Sequence, residues 1–257
     1  MRCLPLFLLL ICCACGPNEE RYRSDWSADL QLDHQGAGDQ FWLNALQDWR
    51  QRNGRLELIQ SGGNRQCVWL TTTLDSSATF FRTSVDVALS QTPAQKDSTW
   101  VGFTLGLQGR TNDFRDAATE GSGLAVGVTP GGHLFVGKTD EYSQVELPDE
   151  FRLEARGMKQ RDGKYYIFLE LFRADDRMIG QRIVPVDPSW LTGLLALTVS
   201  SSLPPSQIPW EVRPAHTAPS WAEVQTPNSA PGGRLLASFQ NWELSGPRVQ
   251  AHPERAQ

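Results

Sequence analysis

From residue 100 to residue 138 the sequence reads as an alternating strand, a polar loop and then a tight hairpin, and the period of two in its strands limits the fold more than any other feature. Val101, Phe103, Leu105 and Leu107 alternate with Gly102, Thr104, Gly106 and Gln108, which is the pattern of a strand burying one face. Leu124, Val126 and Val128 repeat it against Gly123, Ala125 and Gly127, and the Thr129-Pro130-Gly131-Gly132 turn leads into a return strand from His133 to Lys138. Both forward strands thus carry small residues on one face. Glycine inside a strand costs stability and packs nothing, so five small residues on one face need a reason. Two readings stay open. One is a shallow groove where a ligand or second domain lies close to the backbone; the other is relief of crowding in a curved sheet.

The chain begins with Met1-Arg2 and an apolar run from Leu4 to Cys13, too short to span a bilayer and suited to a signal-peptide core. Cys12-Cys13-Ala14-Cys15-Gly16 has the form of a bacterial lipobox, which makes residues 1–14 a signal peptide and Cys15 the lipid acceptor. Partnership with a membrane through that anchor follows. Gly16 after the acceptor, with no aspartate there, points to an exported outer-membrane lipoprotein facing the periplasm or the surface. Once processed, the chain keeps Cys15 and Cys67, so no disulfide within it is expected; Cys67 lies in a strand-like run as a buried thiol. Residues 15–40 read as a flexible tether, polar and without apolar period, reaching about 25–30 Å on average.

Residues 41–246 supply one sizeable core. Asn53-Gly54 and Asp162-Gly163 are turn dipeptides between alternating runs. Strands are expected near residues 49–51, 55–59, 66–74, 79–91, 142–147, 151–160, 165–174, 182–186, 191–200 and 235–244. In the strand after residue 79, Phe81, Thr83, Val85, Val87 and Leu89 face inward, and Arg82, Ser84 and Asp86 face outward. No stretch predicts a helix longer than two turns. The expected fold is all-β, a sandwich or jelly roll of antiparallel sheets. Residues 202–233 are a Pro-rich insertion with Trp210 and Trp221, and residues 247–257 a polar tail outside the domain.

The net charge of −5 and the lack of a basic run argue against nucleic acid as a partner. The histidines are scattered, and no nucleophile elbow, P-loop or metalloprotease motif occurs, so no metal, cofactor or catalytic residue is assigned. Sandwich glycosidases need two carboxylates a few ångströms apart. No single strand offers them, and Glu57 and Glu170 read as lone, solvated acids. The loop of Arg110, Asn112, Asp113, Arg115 and Asp116 reads as an Asp–Arg network beside the glycine face, as part of a binding site, or as a calcium site, with two arginines opposing the last. Trp100 lies on the glycine side and, with Phe135 or Tyr142, is a candidate surface for stacking a glycan ring. The candidate binding face is therefore Trp100, Gly102, Gly106, Gly123, Gly127 and Phe135.

Three runs carry a family resemblance: Gly102-Phe103-x-Leu105-Gly106-Leu107-x-Gly109, Asn112-Asp113-Phe114-Arg115-Asp116-Ala117, and Gly121-x-Gly123-Leu124-x-Val126-Gly127-Val128. With Asp48-Trp49, Asn53-Gly54-Arg55-Leu56, Phe239-x-Asn241-Trp242-x-Leu244-Ser245-Gly246 and the tail His252-Pro253-Glu254-Arg255-Ala256, they resemble the N-terminal β-sandwich of bacterial alkaline phosphatase D-type metallophosphatases. More loosely, the chain is similar to the concanavalin A-like lectin and glucanase superfamily. The resemblance implies a jelly-roll β-sandwich and an accessory role, docking a phosphatase domain or partner protein or holding it near a polymeric substrate. The metal-binding Asp, Asn and His residues of that family would follow a tail like this one, so none is carried over here. The expectation is a non-catalytic binding or positioning module, with two alternatives: the sandwich half of a split or truncated metal-dependent phosphatase, or a stand-alone carbohydrate-binding module.

Overall fold

The computed structural model describes residues 21–26, 40–62, 65–75, 80–91, 99–109, 111, 113–137, 144–200, 235–246 and 249–251. Its strands are β1 (Arg21–Arg23), β2 (Phe41–Leu43), β3 (Trp49–Arg52), β4 (Arg55–Leu58), β5 (Arg65–Leu74), β6 (Phe80–Gln91), β7 (Trp100–Gln108) and β8 (Ser122–Val128). They continue as β9 (Leu134–Val136), β10 (Glu150–Lys159), β11 (Tyr165–Phe172), β12 (Met178–Val186), β13 (Gly193–Ser200), β14 (Leu236–Ser245) and β15 (Val249–Ala251). One short helix, α1 (Phe114–Glu120), interrupts them, with 3-10 turns at Leu46–Asp48 and Pro188–Leu191.

The strands form two antiparallel sheets, the jelly-roll β-sandwich that the alternation predicts. The eight-stranded sheet runs β12-β11-β10-β6-β14-β4-β3, with β1 also paired to β14. The seven-stranded sheet runs β15-β5-β13-β7-β8-β9, with β2 also on β5. Apolar positions of period two meet between the sheets: Phe81, Val85 and Val87 from one, Val101, Phe103 and Leu105 from the other, all buried. An aromatic cluster fills one end of this core. Trp242 lies 4.6 Å from Trp69 and 5.7 Å from Phe41, ring centre to ring centre, and its indole N–H donates to Thr83 Oγ1 at 3.0 Å. Cys67 is fully buried, and burial pushes its thiol well above the ordinary range.

Asn53 and Gly54 both take positive φ, 51° and 72°, as a type I′ turn requires. Three boundaries differ from expectation. Residues 21–26, placed in the tether, belong to the domain: β1 pairs with β14, Trp242 N–H donates to Ser24 Oγ at 3.0 Å, and Trp26 is buried in the core. Part of the polar tail does too, because Val249–Ala251 add to the free edge of β5. Of the strand expected at residues 142–147, the described part is not one: Gln144 makes an isolated bridge to His133, and residues 145–149 carry no strand. Cys15, Arg110, Asn112, Tyr142 and residues 202–233 lie outside the described residues.

Candidate functional site

The glycine face is filled by the chain itself. Register places Gly102 beside Gly127 and Gly127 beside Phe135, so all three share the outer side of the seven-stranded sheet. A Cβ on Gly127 would stand 3.1 Å from Trp100 Cε3, and one on Gly102 would stand 2.1 Å from the Val126 carbonyl oxygen. Trp100 and Phe135 meet edge to face at 5.3 Å and are 2% and 0% exposed, so neither ring is open to a sugar. Gly106 has φ +61°, and a Cβ there would fall 2.0 Å from the Trp190 carbonyl oxygen. Gly123 is approached by Thr104 Cγ2 at 2.7 Å from the position of its missing Cβ. Glycine is needed for close approach, as the alternation implies, but what approaches is the protein's own backbone and indole. The groove reading at Trp100, Gly102, Gly106, Gly127 and Phe135 gives way to the crowding reading.

The loop residues Asp113, Arg115 and Asp116 serve local structure. Asp113 caps α1, accepting from the Arg115 backbone N–H at 2.8 Å and pairing with its guanidinium at 3.1 Å. Asp116 instead accepts from Thr111, from N at 2.6 Å and Oγ1 at 3.0 Å. Among the described residues no three His, Cys, Asp or Glu side chains gather as metal ligands would. The Arg115 backbone donor first, and its side chain second, hold the Asp113 carboxyl below the usual aspartate range. A lowered folded-state pKa means that the cap is intact above the usual range and is lost as pH falls through the lowered value. In an NMR titration the Arg115 amide is therefore expected to move with a midpoint below the ordinary aspartate value; a midpoint at the ordinary value would contradict the cap.

The outer face of the eight-stranded sheet is different. Here β10 presents Arg152, Glu154 and Arg156 opposite Phe172, Glu170 and Phe168 of β11. Arg152 lies over the Phe172 ring at 4.6 Å and Arg156 over Phe168 at 5.5 Å. The reading of Glu170 as a lone, solvated acid is corrected: it stands directly across from Glu154, and the two are 2% and 4% exposed. Arg156 donates to Glu170 at 2.6 and 3.1 Å, Gln181 at 2.6 Å, and Arg82 to Glu154 at 2.7 Å. The hydrogen bond that Arg82 donates to Glu154 is also the main reason its guanidinium holds its proton more tightly than usual. Two facing carboxylates are what a glycosidase needs, but these are enclosed and engaged by donors, so neither reaches a substrate bond. Their role is to brace the sheet.

Beside this ladder the same face opens into two clefts of about 360 and 250 Å³ that share Gln240. A bulge makes them. Between Gln240 and Glu243 β14 carries an extra residue against β6, and Asn241 adopts φ 53°. Trp242 then turns into the core while Gln240 and Asn241 both remain on the outside. Asn241 ties the clefts together: its Nδ2 donates to Asp86 Oδ2 and its Oδ1 accepts from Arg23 Nη2, each at 2.7 Å. The smaller cleft sets Arg55, Arg152 and Arg173 beside Asp86 and Glu150. Arg55 donates to Ser238 Oγ at 3.0 Å, and the Arg152 Nε–H, though buried, has no hydrogen-bond partner among the described residues. The alternating R-x-E-x-R of β10 and F-x-E-x-F of β11 are the sequence signals for this face.

The sequence matches no family model and no curated relative. Among solved structures the chain is similar to lectin I-B4 from Griffonia simplicifolia in its metal-free form, at 12% identity and TM-score 0.48, covering 88% of this chain and 99% of that one. It is also similar to a lectin from Bauhinia forficata in complex with GalNAc, at 9% identity and TM-score 0.49, covering 91% and 99%. A third is the exoplasmic/lumenal domain of VIP36 in its Ca²⁺/Man3GlcNAc-bound form, at 9% identity and TM-score 0.44, covering 86% and 88%.

Proposed function

We propose that this chain is an exported, lipid-anchored, non-catalytic β-sandwich that binds a hydroxyl-rich ligand, a glycan, in the paired clefts around Gln240. One observation carries the reading. The open face sets guanidinium and amide donors beside carboxylate acceptors, Arg55 and Arg152 next to Asp86 and Glu150, while the glycine face is closed. An anion in this cleft would meet two carboxylates, and a cation would meet three guanidinium groups. A hydroxyl both donates and accepts, so neighbouring sugar hydroxyls satisfy both kinds of group at once. Asp86→Ala is expected to weaken glycan binding about 10- to 100-fold, the loss of one or two hydrogen bonds to a charged group, with the fold unchanged by circular dichroism. Unaltered affinity would remove the cleft from the account.

The likeness to alkaline phosphatase D-type sandwiches supports a second role for the same domain, positioning a phosphatase half on or near its polymeric substrate. An immunoblot of native cells separates the two. A band near 28.6 kDa fits a stand-alone module, and one tens of kilodaltons larger fits a two-domain enzyme.

A further inference from the structure

We infer that the two clefts are one groove that takes an internal stretch of a linear polysaccharide, laid across the strands over Gln240 with sugar units in both clefts at once; the inference rests on the glycan reading of these clefts. Strand pairing shows how the groove is made. β6 takes one side of β14 from Leu236 to Ser245. The other side is shared by two strands set end to end, β4 against Ser238 and Phe239 and β1 against Glu243 to Ser245. Among the described residues no strand pairs with Gln240 and Asn241 on that side. The larger cleft is this gap, walled by Arg23, Ser24, Asp25 and Trp26 on one side and by Gly54 of the β3–β4 turn on the other. The smaller cleft continues the line. Gln240 stands opposite Asp86, Asp86 opposite Arg152, and Arg152 opposite Phe172, one row across β14, β6, β10 and β11. The cleft follows that row as far as Arg173 and Ala174, just past the end of β11. From the gap to β11 is four strand spacings, about 19 Å.

Size and ends both point to a polymer. Pockets that enclose a whole drug-sized ligand hold about 300–1,000 Å³. At about 360 and 250 Å³, each cleft alone is near the bottom of that range or below it, and only together do they lie well inside it. Neither end of the groove is closed: Arg23 and Asp25 are exposed at one, Arg173 and Ala174 at the other. A pocket that reads the terminal sugar needs a wall at one end. Between the ends the row presents an amide, a carboxylate and a guanidinium in turn, at Gln240, Asp86 and Arg152, so hydroxyls of successive sugars meet both acceptors and donors. Asn241 fixes the two halves to each other through Arg23 and Asp86, which sets the groove before a ligand arrives.

Calorimetric titration of the full-length protein with cello-, alginate and chito-oligosaccharides of one to six residues tests this. In a series that binds, affinity is expected to rise at least about 10-fold from the monosaccharide to the tetrasaccharide, the gain of one or two further hydrogen bonds, and then to level off. Gly54→Asn puts a side chain into the gap, where the missing Cβ lies 3.8 Å from Gln240 Nε2, at a turn position that asparagine tolerates. Arg173→Ala removes a donor at the far end. In each variant the affinity is expected to level off at a shorter oligosaccharide than in the native protein. The intact polysaccharide is expected to take up several protein molecules per polymer. A monosaccharide bound as tightly as the tetrasaccharide, the same length profile in the native protein and both variants, or one protein molecule per polymer overturns the groove and leaves the glycan reading standing. No binding in any of the three series overturns the glycan reading itself, and the groove with it.

Discussion

Arg65→Met is expected to destabilise the domain by about 3–5 kcal/mol, the cost of stranding one partner of a buried ion pair. Arg65 Nε donates to Asp48 Oδ2 at 2.6 Å, with the two side chains 6% and 2% exposed. The pair joins the two layers. Asp48 ends the 3-10 turn that leads into β3 of the eight-stranded sheet, and Arg65 opens β5 of the seven-stranded one. The fit is tight, because a Cβ on Gly62 would fall 2.2 Å from the Arg65 guanidinium carbon. Removing the arginine leaves a carboxylate inside with nothing to answer its charge. Removing both charges relieves that penalty, so Asp48→Asn/Arg65→Met is expected to recover most of the loss. Urea unfolding of the two single variants and the double gives the coupling. A loss under about 1 kcal/mol in Arg65→Met would mean that water already reaches the pair.

Gly106→Val is expected to cost about 2–5 kcal/mol, from two separable causes. A left-handed φ costs a side chain about 1–2 kcal/mol, and Gly106 sits at φ +61°. Overpacking costs about 1–3 kcal/mol more, and the new Cβ would fall 2.0 Å from the Trp190 carbonyl oxygen. Gly163→Ala isolates the first cause: φ is +83° there, but nothing lies within 4 Å of the added atom. It should lose only about 1–2 kcal/mol. Thermal unfolding compares them. Gly106→Val no worse than Gly163→Ala would reopen a groove at Gly106. Against a total of about 5–15 kcal/mol, the predicted loss is a large share of the domain's stability.

Strand identity was legible because it is local. Alternation at Val101–Leu107 and Phe81–Leu89, and the Asn53-Gly54 turn, each show within a few residues. The strands β1 and β15 were not legible. Arg21-Tyr22-Arg23 and Val249-Gln250-Ala251 have too few residues for a period, and they are strands because β14 and β5 offer them free edges. The buried carboxylate pair was hidden for a related reason. Glu170 looks isolated along its own strand, and only register puts Glu154 opposite it. The glycines drew the eye to the wrong face because a sequence shows the missing side chain, not the indole of Trp100 that occupies its place. Asn241-Trp242 carried part of the family resemblance without revealing that a bulge keeps one residue outside and turns the other in.

The most direct test of the central claim is binding of the full chain to an immobilised panel of neutral, uronic-acid and amino-sugar polysaccharides, run beside Asp86→Ala and Trp100→Phe. The account predicts retention on at least one polysaccharide, kept by Trp100→Phe, whose ring is buried, and lost in Asp86→Ala. No retention on any member of the panel, or retention that survives Asp86→Ala and fails in Trp100→Phe, would contradict it.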